Sequence, residues 1–573
     1  MTNSNWRAKS SGPSIPPLPM PPLLWQVMQS RGFTTAELVK SHFQPSLKDM
    51  THPLKLDQME KACERLVDAF LSGEKICIYA DFDLDGTSGL ALMLKGLEDL
   101  GFDNLVYYQP KRLTEGYGLH SHVVEEMAKQ NVSVMVTVDV GITAIAAAQT
   151  AKSLNMDLII TDHHLPKETL PDALAIVNPN KGFCASGLGH LCGAGVAYYL
   201  LLALKVMLNK RNILTPNFNA KELLDCFVVG TLTDLVPLIG ENRALSKHGL
   251  KVLQQTKRPG LRALLSSLGL LERPLSGSDV AIRFAPKLNA LSRLEMDVMP
   301  IDLFLARDEV KAERLIKTVL SYNEKRVRLQ KSAEAIAEDW LRQNSQSGFA
   351  FVSSPHFHQG VVGLVATKVS QNSNVPAFIG AENEKGMVTG SARLPGEGFP
   401  SLLDALESAS EYMVKFGGHA AAAGFEFEKS QFINIERAFL EFYKKVLPDG
   451  PKPVTYDYDG EGRLEDINEG FMNWWDQMGP FGSGFETPIF RFSQLEVKSF
   501  SLLSGGHIKL SVMDRETQKR MDALWFSPAK NHSVNVNNLR VGQVVDLLGE
   551  PQWNIFAGRR SLQLLVKDIR LSC

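Results

Sequence analysis

Ile76-Cys77-Ile78-Tyr79-Ala80-Asp81-Phe82-Asp83-Leu84-Asp85-Gly86 is an apolar run that ends in three carboxylates on alternate residues. A strand, with its side-chain period of two, turns Asp81, Asp83 and Asp85 to one side and concentrates negative charge at its carboxyl end. Like charges at that spacing raise one another's pKa or recruit a cation, and oxygen ligands at this density suit Mg²⁺ or Mn²⁺. An isolated D-x-D-x-D is equally compatible with a solvated acidic turn. The surrounding chain has to decide.

Working outward, residues 56–71 carry a helical apolar pattern ahead of this run, and 87–100 carry another after it. Short apolar segments at 104–108, 132–137 and 158–160 then alternate with a helical stretch at 144–153, the pattern of a doubly wound parallel sheet. In such sheets ligands sit at the carboxyl ends of the strands. Val134 to Val138 ends in Asp139, and Leu158 to Ile160 runs into Thr161-Asp162-His163-His164. Phe227-Val228-Val229-Gly230-Thr231-Leu232-Thr233 precedes Asp234, so four strand ends are expected to converge on one rim. Several carboxylates with one or two imidazoles suit a two-metal centre. Asp139 is the natural bridging ligand and His163 the nitrogen ligand, which favours Mn²⁺ over a pure oxygen site for Mg²⁺. Asp162 is placed to orient a histidine, leaving His164 to meet a substrate phosphate.

These four motifs, Asp-Phe-Asp-Leu-Asp-Gly, Val-Asp-Val-Gly, Asp162-His163-His164 and Gly230 to Leu238, resemble in order those of the DHH phosphoesterase family. Lys111 to Gly118, Pro286 to Leu294, His358-Gln359-Gly360-Val361-Val362-Gly363 and Phe416-Gly417-Gly418-His419 are similar to the RecJ branch of that family, single-strand-specific 5′→3′ exonucleases. The similarity runs from about Arg31 to the carboxyl terminus. Thr233 stands where that branch usually has alanine, Ser292 where it has glycine and Phe357 where it has tryptophan; none of these removes a ligand or a charge.

The whole-chain properties agree with a soluble multidomain protein. At 573 residues it exceeds a single core, and 61 basic against 63 acidic residues leave it nearly neutral. Any polyanion is therefore met by local basic surface. Six cysteines without a C-x-x-C spacing argue for a reducing cytoplasm and against a zinc site or disulfide framework. The proline-rich 1–30 reads as a flexible arm, and Val196 to Leu208 as a buried helix too short to span a bilayer.

Residues 301–344 lack proline and glycine and read as a long amphipathic helix whose Glu324-Lys325-Arg326-Val327-Arg328 stretch offers a basic face. Beyond it, Thr389 to Arg393 and Gly417 to Gly424 are runs of small residues that let backbone approach a phosphate, and the Gly-Gly-His-Ala run suits a tight helix entry equally well. Four β-rich stretches follow, Leu495 to Phe500, His507 to Val512, Val544 to Leu548 and Leu562 to Val566, suiting an OB-type barrel. From Arg491 onward 12 Lys/Arg face 7 Asp/Glu. Trp525, Phe526, Trp553 and Phe556 interleave there with Arg559 and Arg560, a composition fit for single-strand binding or for a barrel core.

The resemblance implies an α/β protein: a parallel-sheet DHH domain (31–270), a connector with the long helix (271–347), a DHH-associated α/β domain, DHHA1 (348–447), and an OB domain (448–573). It implies two divalent metal ions, Mn²⁺ or Mg²⁺, at Asp83, Asp85, Asp139, His163 and Asp234, with Asp81 either a ligand or a group that orients one. Arg112, Arg293, His358, Ser391, Arg393, Gly417, Gly418 and His419 become substrate-binding residues. The implied activity is 5′→3′ degradation of single-stranded DNA to 5′-mononucleotides in recombination and repair, mismatch repair included. The partners it implies are a single-strand-binding protein and a RecQ-type helicase, with the enzyme a cytoplasmic monomer. The rival readings are a DHH phosphodiesterase of short oligoribonucleotides or cyclic dinucleotides, against which the extra barrel speaks, and a non-catalytic single-strand-binding scaffold, against which the full ligand set speaks.

Overall fold

Between residues 59 and 177 the alternation of apolar and amphipathic segments produces five parallel strands and their covering helices: α1 (Met59–Ser72), β1 (Lys75–Ala80), α2 (Leu84–Leu100), β2 (Leu105–Tyr108), α3 (Ser121–Lys129), β3 (Val132–Val138), α4 (Ile145–Ser153), β4 (Asp157–Thr161) and β5 (Ala175–Val177). The structure is a computed structural model. It describes residues 4–10, 12, 19–294, 297–344, 348–396, 398–448, 453–504, 506–526, 528, 539–556 and 559–572, without the side chains of Phe556 and Arg559. The chain divides into two compact units, one of 41–324 with 478–486, the other of 1–40, 325–477 and 487–573.

In the first unit the strand order is β2-β1-β3-β4-β5, all parallel. Strand residues alternate between two cores: Ile76, Ile78 and Ala80 pack with α1 and α2, whereas Cys77 and Tyr79 pack with Val123, Val124 and Ala147 of α3 and α4. Burial on both sides explains why these strands read as continuous apolar runs. The same side as α1 and α2 receives α5 (Gly193–Lys210), apolar over most of its surface, and α6 (Leu224–Thr233). Here the structure corrects the sequence reading, since Phe227 to Thr233 is the end of a helix and not a strand. Leu224 through Leu232 are all buried, and a short apolar run buried all round lacks the periodicity that separates helix from strand. α7 (Gly240–Gln254) follows. The helix α8 (Glu309–Gln343), 35 residues long, begins in this unit and continues into the other.

The second unit holds a mixed sheet built from β6 (Ala350–Ser354), β7 (Ala377–Glu382), β8 (Met387–Arg393), β9 (Lys415–His419) and β10 (Ala422–Glu428), in the order β9-β10-β8-β7-β6. Helix α9 (Val362–Ser373) packs on it. After α10 (Glu469–Met478) comes a closed five-stranded barrel of β11 (Phe490–Leu503), β12 (His507–Asp514), β13 (Arg520–Trp525), β14 (Val544–Phe556) and β15 (Arg559–Leu571), closed by pairing of β11 with β14. The expected DHH-type sheet, α/β second domain and OB-type barrel are all present. The amino-terminal arm departs from expectation. Asn5–Ala8 pairs in parallel with Thr455–Tyr458, and Pro22–Ser30 is a helix that buries Leu23, Leu24, Val27 and Met28. The prolines start this helix at its first position instead of preventing one.

Candidate metal centre at the sheet switch point

In a 2-1-3-4-5 sheet the chain turns outward in opposite directions from β1 and β3, which leaves a crevice past their carboxyl ends. β1 delivers Asp81 and β3 delivers Asp139 to that crevice. Asp83 caps α2, its Oδ1 accepting from the amides of Asp85 (2.9 Å) and Gly86 (3.0 Å). Asp85, in the first turn of α2, is buried and accepts from Gly193 N (2.6 Å) and Ala194 N (3.0 Å) at the amino end of α5. That helix end is an anion site, and it holds a carboxylate whose burial would otherwise be costly.

His163 joins these acids. Its Nε2 lies 3.2 Å from Asp139 Oδ1, 3.5 Å from Asp234 Oδ2 and 3.9 Å from Asp85 Oδ2. Three groups of potential ligand atoms, each lying within 4.8 Å of one another, share members: Asp139-His163-His164, Asp85-His163-Asp234 and Asp81-Asp83-Asp139. His163 Nε2, Asp139 Oδ1 and Asp81 Oδ1 are buried without a hydrogen-bond partner. Each such orphan costs about 1–3 kcal/mol. Carboxylate oxygens and an imidazole lone pair aimed at one another, with no donor between them, are what a hard or borderline divalent cation satisfies. The residues therefore fit a metal centre.

The electrostatics match. Burial, reinforced by Asp83, pushes Asp81 up to about 8, and burial with Asp85 and Asp83 pushes Asp234 to about 8. Asp85 and Asp139 are raised as well, chiefly by burial. Burial lowers His163, which keeps its ring neutral and its lone pair available. Burial also opposes charge on His164, but the hydrogen bond and charge of Asp162 outweigh it and hold the imidazole at about 9.

Asp162 is the organiser of this corner. Its Oδ1 accepts from His163 N (2.7 Å) and His164 N (3.1 Å) and lies 2.7 Å from His164 Nδ1, while Oδ2 accepts from Ile142 N (2.9 Å). The histidine it orients through the ring is His164, whose edge also meets Tyr117. Asn178 and Asn180 donate to the carbonyls of His164 (2.9 Å) and His163 (2.5 Å). Gln109 ties Asp81 O (2.6 Å) to Thr87 Oγ1 (2.8 Å). Arg112 lies over the Phe82 ring at 5.0 Å, within the field of Asp83 and Asp81. Arg293 closes the helix Ala285–Arg293 of the same unit.

Sequence reasoning missed the residues that act through backbone or through absence. A Cβ on Gly193 would lie 2.3 Å from Asp139 Cβ, and one on Gly230 would lie 2.5 Å from Asp85 Oδ1. The only available signal was Cys192-Gly193-Ala194-Gly195 opening a helix after a loop.

In the second unit, register sets His419 opposite Ala422 and Ala422 opposite Arg393, and likewise Gly417 opposite Gly424 and Gly424 opposite Ser391. Ser391, Arg393 and His419 thus share one sheet face whose floor is glycine and alanine, with Gly418 at φ +139 between them. The first turn of α9 abuts this face, since a Cβ on Gly363 would lie 3.3 Å from Arg393 Nη2 and 3.4 Å from Ser391 Oγ. His358 Nδ1 accepts from Gly360 N (3.0 Å) just before that turn. In the barrel, Trp525 is 1% exposed and belongs to the core, which corrects its reading as a base-stacking residue. A large apolar ring on an inward-facing strand position is worth more to the barrel interior than to a groove. Trp553 is half-buried, with Arg560 Cζ 3.4 Å from its ring centre. The side chains of Phe556 and Arg559 lie outside those described.

Three family models match the chain: the DHH family, N-terminal domain, over residues 75–231, the DHHA1 domain over 346–446, and the RecJ OB domain over 458–568. The single-stranded-DNA-specific exonuclease RecJ of Salmonella typhimurium is 33% identical over 569 residues, covering 96% of each chain. The chain belongs to the RecJ family. The RecJ of Escherichia coli is 32% identical over 582 residues, again covering 96% of each. The crystal structure of Thermus thermophilus RecJ in complex with Mn²⁺ superposes with a TM-score of 0.79 at 26% identity, covering 99% of this chain and 80% of that one. A structure of exonuclease RecJ bound to manganese matches at 0.58 and 32% identity, covering 69% of this chain and 96% of that one. Among the described residues no helix is long and apolar enough to cross a membrane.

Proposed function

We propose that this protein is a metal-dependent exonuclease that degrades single-stranded DNA from the 5′ end to 5′-mononucleotides in recombination and repair, mismatch repair included. The observation that carries the reading is the convergence of three ligand triads, linked through Asp139 and His163, at the switch point of a RecJ-family sheet. Asp83, Asp85, Asp139, His163 and Asp234 would hold the two divalent ions, Mn²⁺ or Mg²⁺; the unpartnered Asp81 Oδ1 supports a ligand role for Asp81 too. Bound there, the ions supply Lewis acidity that polarises the scissile phosphodiester and acidifies the attacking water.

The protein groups do the rest. Protonated His164, held by Asp162 and partly exposed, donates to a phosphoryl oxygen, and Arg112 adds a second donor from its seat on Phe82. Asp162 keeps His164 charged, so that donor persists at neutral pH. Ser391, Arg393, His358 and His419 bind the terminal phosphate and adjacent nucleotide across the glycine floor of Gly417 and Gly418, and Arg293 contributes a further phosphate contact. Trp553 and Arg560 stack and neutralise the strand further along. Five described cysteines, all free thiols, support a reducing, cytoplasmic setting. A single-strand-binding protein and a RecQ-type helicase are the partners we assign, and the enzyme acts as a monomer.

Asp139→Ala and Asp234→Ala are tested on 5′- and 3′-labelled single strands with Mn²⁺. Each is expected to lose at least about 10²-fold in kcat, the scale of removing one charge-stabilising group. Wild-type protein is expected to release the 5′ label first. Undiminished cleavage by either variant rejects the metal assignment, and earlier release of the 3′ label rejects the polarity.

A further inference from the structure

Residues 478–486 run from the last residue of α10 toward the first barrel strand, yet they belong to the compact unit that carries the acid cluster. The chain leaves one unit, inserts this short segment into the other, and returns. What these residues grip is the loop following Asp234.

Arg243, in the first turn of α7, is buried. No carboxylate pairs with its guanidinium in the contacts it makes here: Nε donates to His42 O (3.0 Å), Nη1 to Pro480 O (3.2 Å), and Nη2 to Met478 O and Gly479 O. Carbonyls at a helix end carry partial negative charge, so the guanidinium is well placed as a cap on them. Its flat face rests on Phe485, 5.1 Å from the ring centre, and that ring packs against His42 at 4.1 Å. Gly482 and Phe485 pair with each other, closing a tight turn. The turn's Ser483 O accepts from Leu238 N (2.8 Å), and Gly484, at φ +74, comes so close to Pro237 that a Cβ there would lie 3.2 Å from Pro237 Cβ.

The gripped loop leads in two directions. Back along the chain it reaches Leu235, at φ +61, and Asp234 at the end of α6. Forward, the fully buried Asn242 donates to Pro237 O (3.0 Å) and to His190 O, and Glu241 Oε2 lies 3.0 Å from His190 Nε2. His190 stands three residues before Gly193, whose amide holds Asp85. One short insertion therefore braces the supports of both Asp85 and Asp234.

We infer that the insertion 478–486, through Phe485, Gly484 and the Arg243 cap, is a positioning element for the metal centre: it fixes the Asp234 loop and the Asp85-binding helix end, and so sets affinity for the ions without touching DNA. The inference rests on reading Asp85 and Asp234 as metal ligands. It is tested in the full-length protein with Phe485→Ala, Gly484→Ala and Phe485→Tyr, the last keeping a ring beneath Arg243. Mn²⁺ binding to chelator-stripped protein is measured by titration calorimetry, single-strand binding in chelator by anisotropy, and kcat on a 5′-labelled strand. Phe485→Ala and Gly484→Ala are expected to weaken Mn²⁺ binding about tenfold and lower kcat to match, with strand affinity within twofold of wild type and Phe485→Tyr close to wild type. Should Phe485→Ala fail to fold, the exposed Gly484→Ala decides. Unchanged Mn²⁺ affinity in Gly484→Ala overturns the inference, as does a loss confined to strand binding. Asp234→Asn separates the two claims: if it binds Mn²⁺ like wild type, the ligand reading fails, whereas weakened binding in Asp234→Asn beside normal binding in Gly484→Ala rejects the positioning role alone.

Discussion

Asp139 combines three costs at one residue: burial, a φ of +64 in a residue with a side chain, and an oxygen left without a donor. Such strain persists only where the surroundings over-determine it, and here the surroundings are other acids. Their protonation gives a signed prediction. Asp81 and Asp234 ordinarily titrate near 3.8 and stand at about 8 in the folded protein. Between those values the folded state binds more protons than the unfolded chain, so without metal its stability falls as pH rises through that window. His164, raised from 6.5 to about 9, adds stability that is complete below 6.5 and lost as pH climbs through 9. Calorimetry in chelator is expected to show Tm falling from pH 6 to 9. Because the ions require ionised carboxylates, the Tm increment given by Mn²⁺ is expected to grow from pH 6 to 8. An increment that is flat over that range would mean the acids are already ionised without metal.

At the scale of elements, the site depends on how closely α5 and α6 approach the sheet rim. Gly193→Ala puts a methyl group 2.3 Å from Asp139 Cβ at the point where the helix amide grips Asp85. The expected outcome is a cooperatively folding protein with at least about tenfold weaker Mn²⁺ binding, read by calorimetry on stripped protein; wild-type binding would show that α5 shifts freely. The strands that carry Asp81, Asp139 and His163 were legible in the sequence because parallel strands buried on both faces are short apolar runs bounded by polar residues. Asp234 was legible as a candidate ligand but not as the end of a helix, since Leu224 to Leu232 are buried on every side and show no helical periodicity. Gly193 and Gly230 were not legible as site residues, because what they contribute is a missing side chain and nothing in the pattern marks which neighbour needs the room. The grip of Phe485 on Arg243 was equally invisible, being a contact between residues 242 apart with no periodicity to announce it.

Across the whole molecule, the barrel separates two tryptophans that look alike in sequence. Trp525 fills the core, and Trp525→Ala is expected to cost about 3–5 kcal/mol in denaturant unfolding. Trp553 sits beside Arg560 and Asp476, and Trp553→Ala is expected to weaken single-strand binding by about 1–3 kcal/mol with little change in unfolding midpoint. Anisotropy and denaturation on the pair separate stacking from packing; equal effects of both substitutions on binding would deny that division. The amino-terminal strand carries a consequence of another kind. Asn5–Ala8 has its partner in Thr455–Tyr458, and Arg7 and Lys9 reach Asp457 and Asp459 across 450 residues of sequence. At a ribosomal pace of about 5–20 residues per second, that partner emerges roughly 20–90 s after the strand itself. The parallel sheet of the acid cluster, complete by Val177, has its strands in hand long before then. During synthesis the strand Asn5–Ala8 therefore waits, through some 450 further residues, for the segment that satisfies its backbone and its basic side chains.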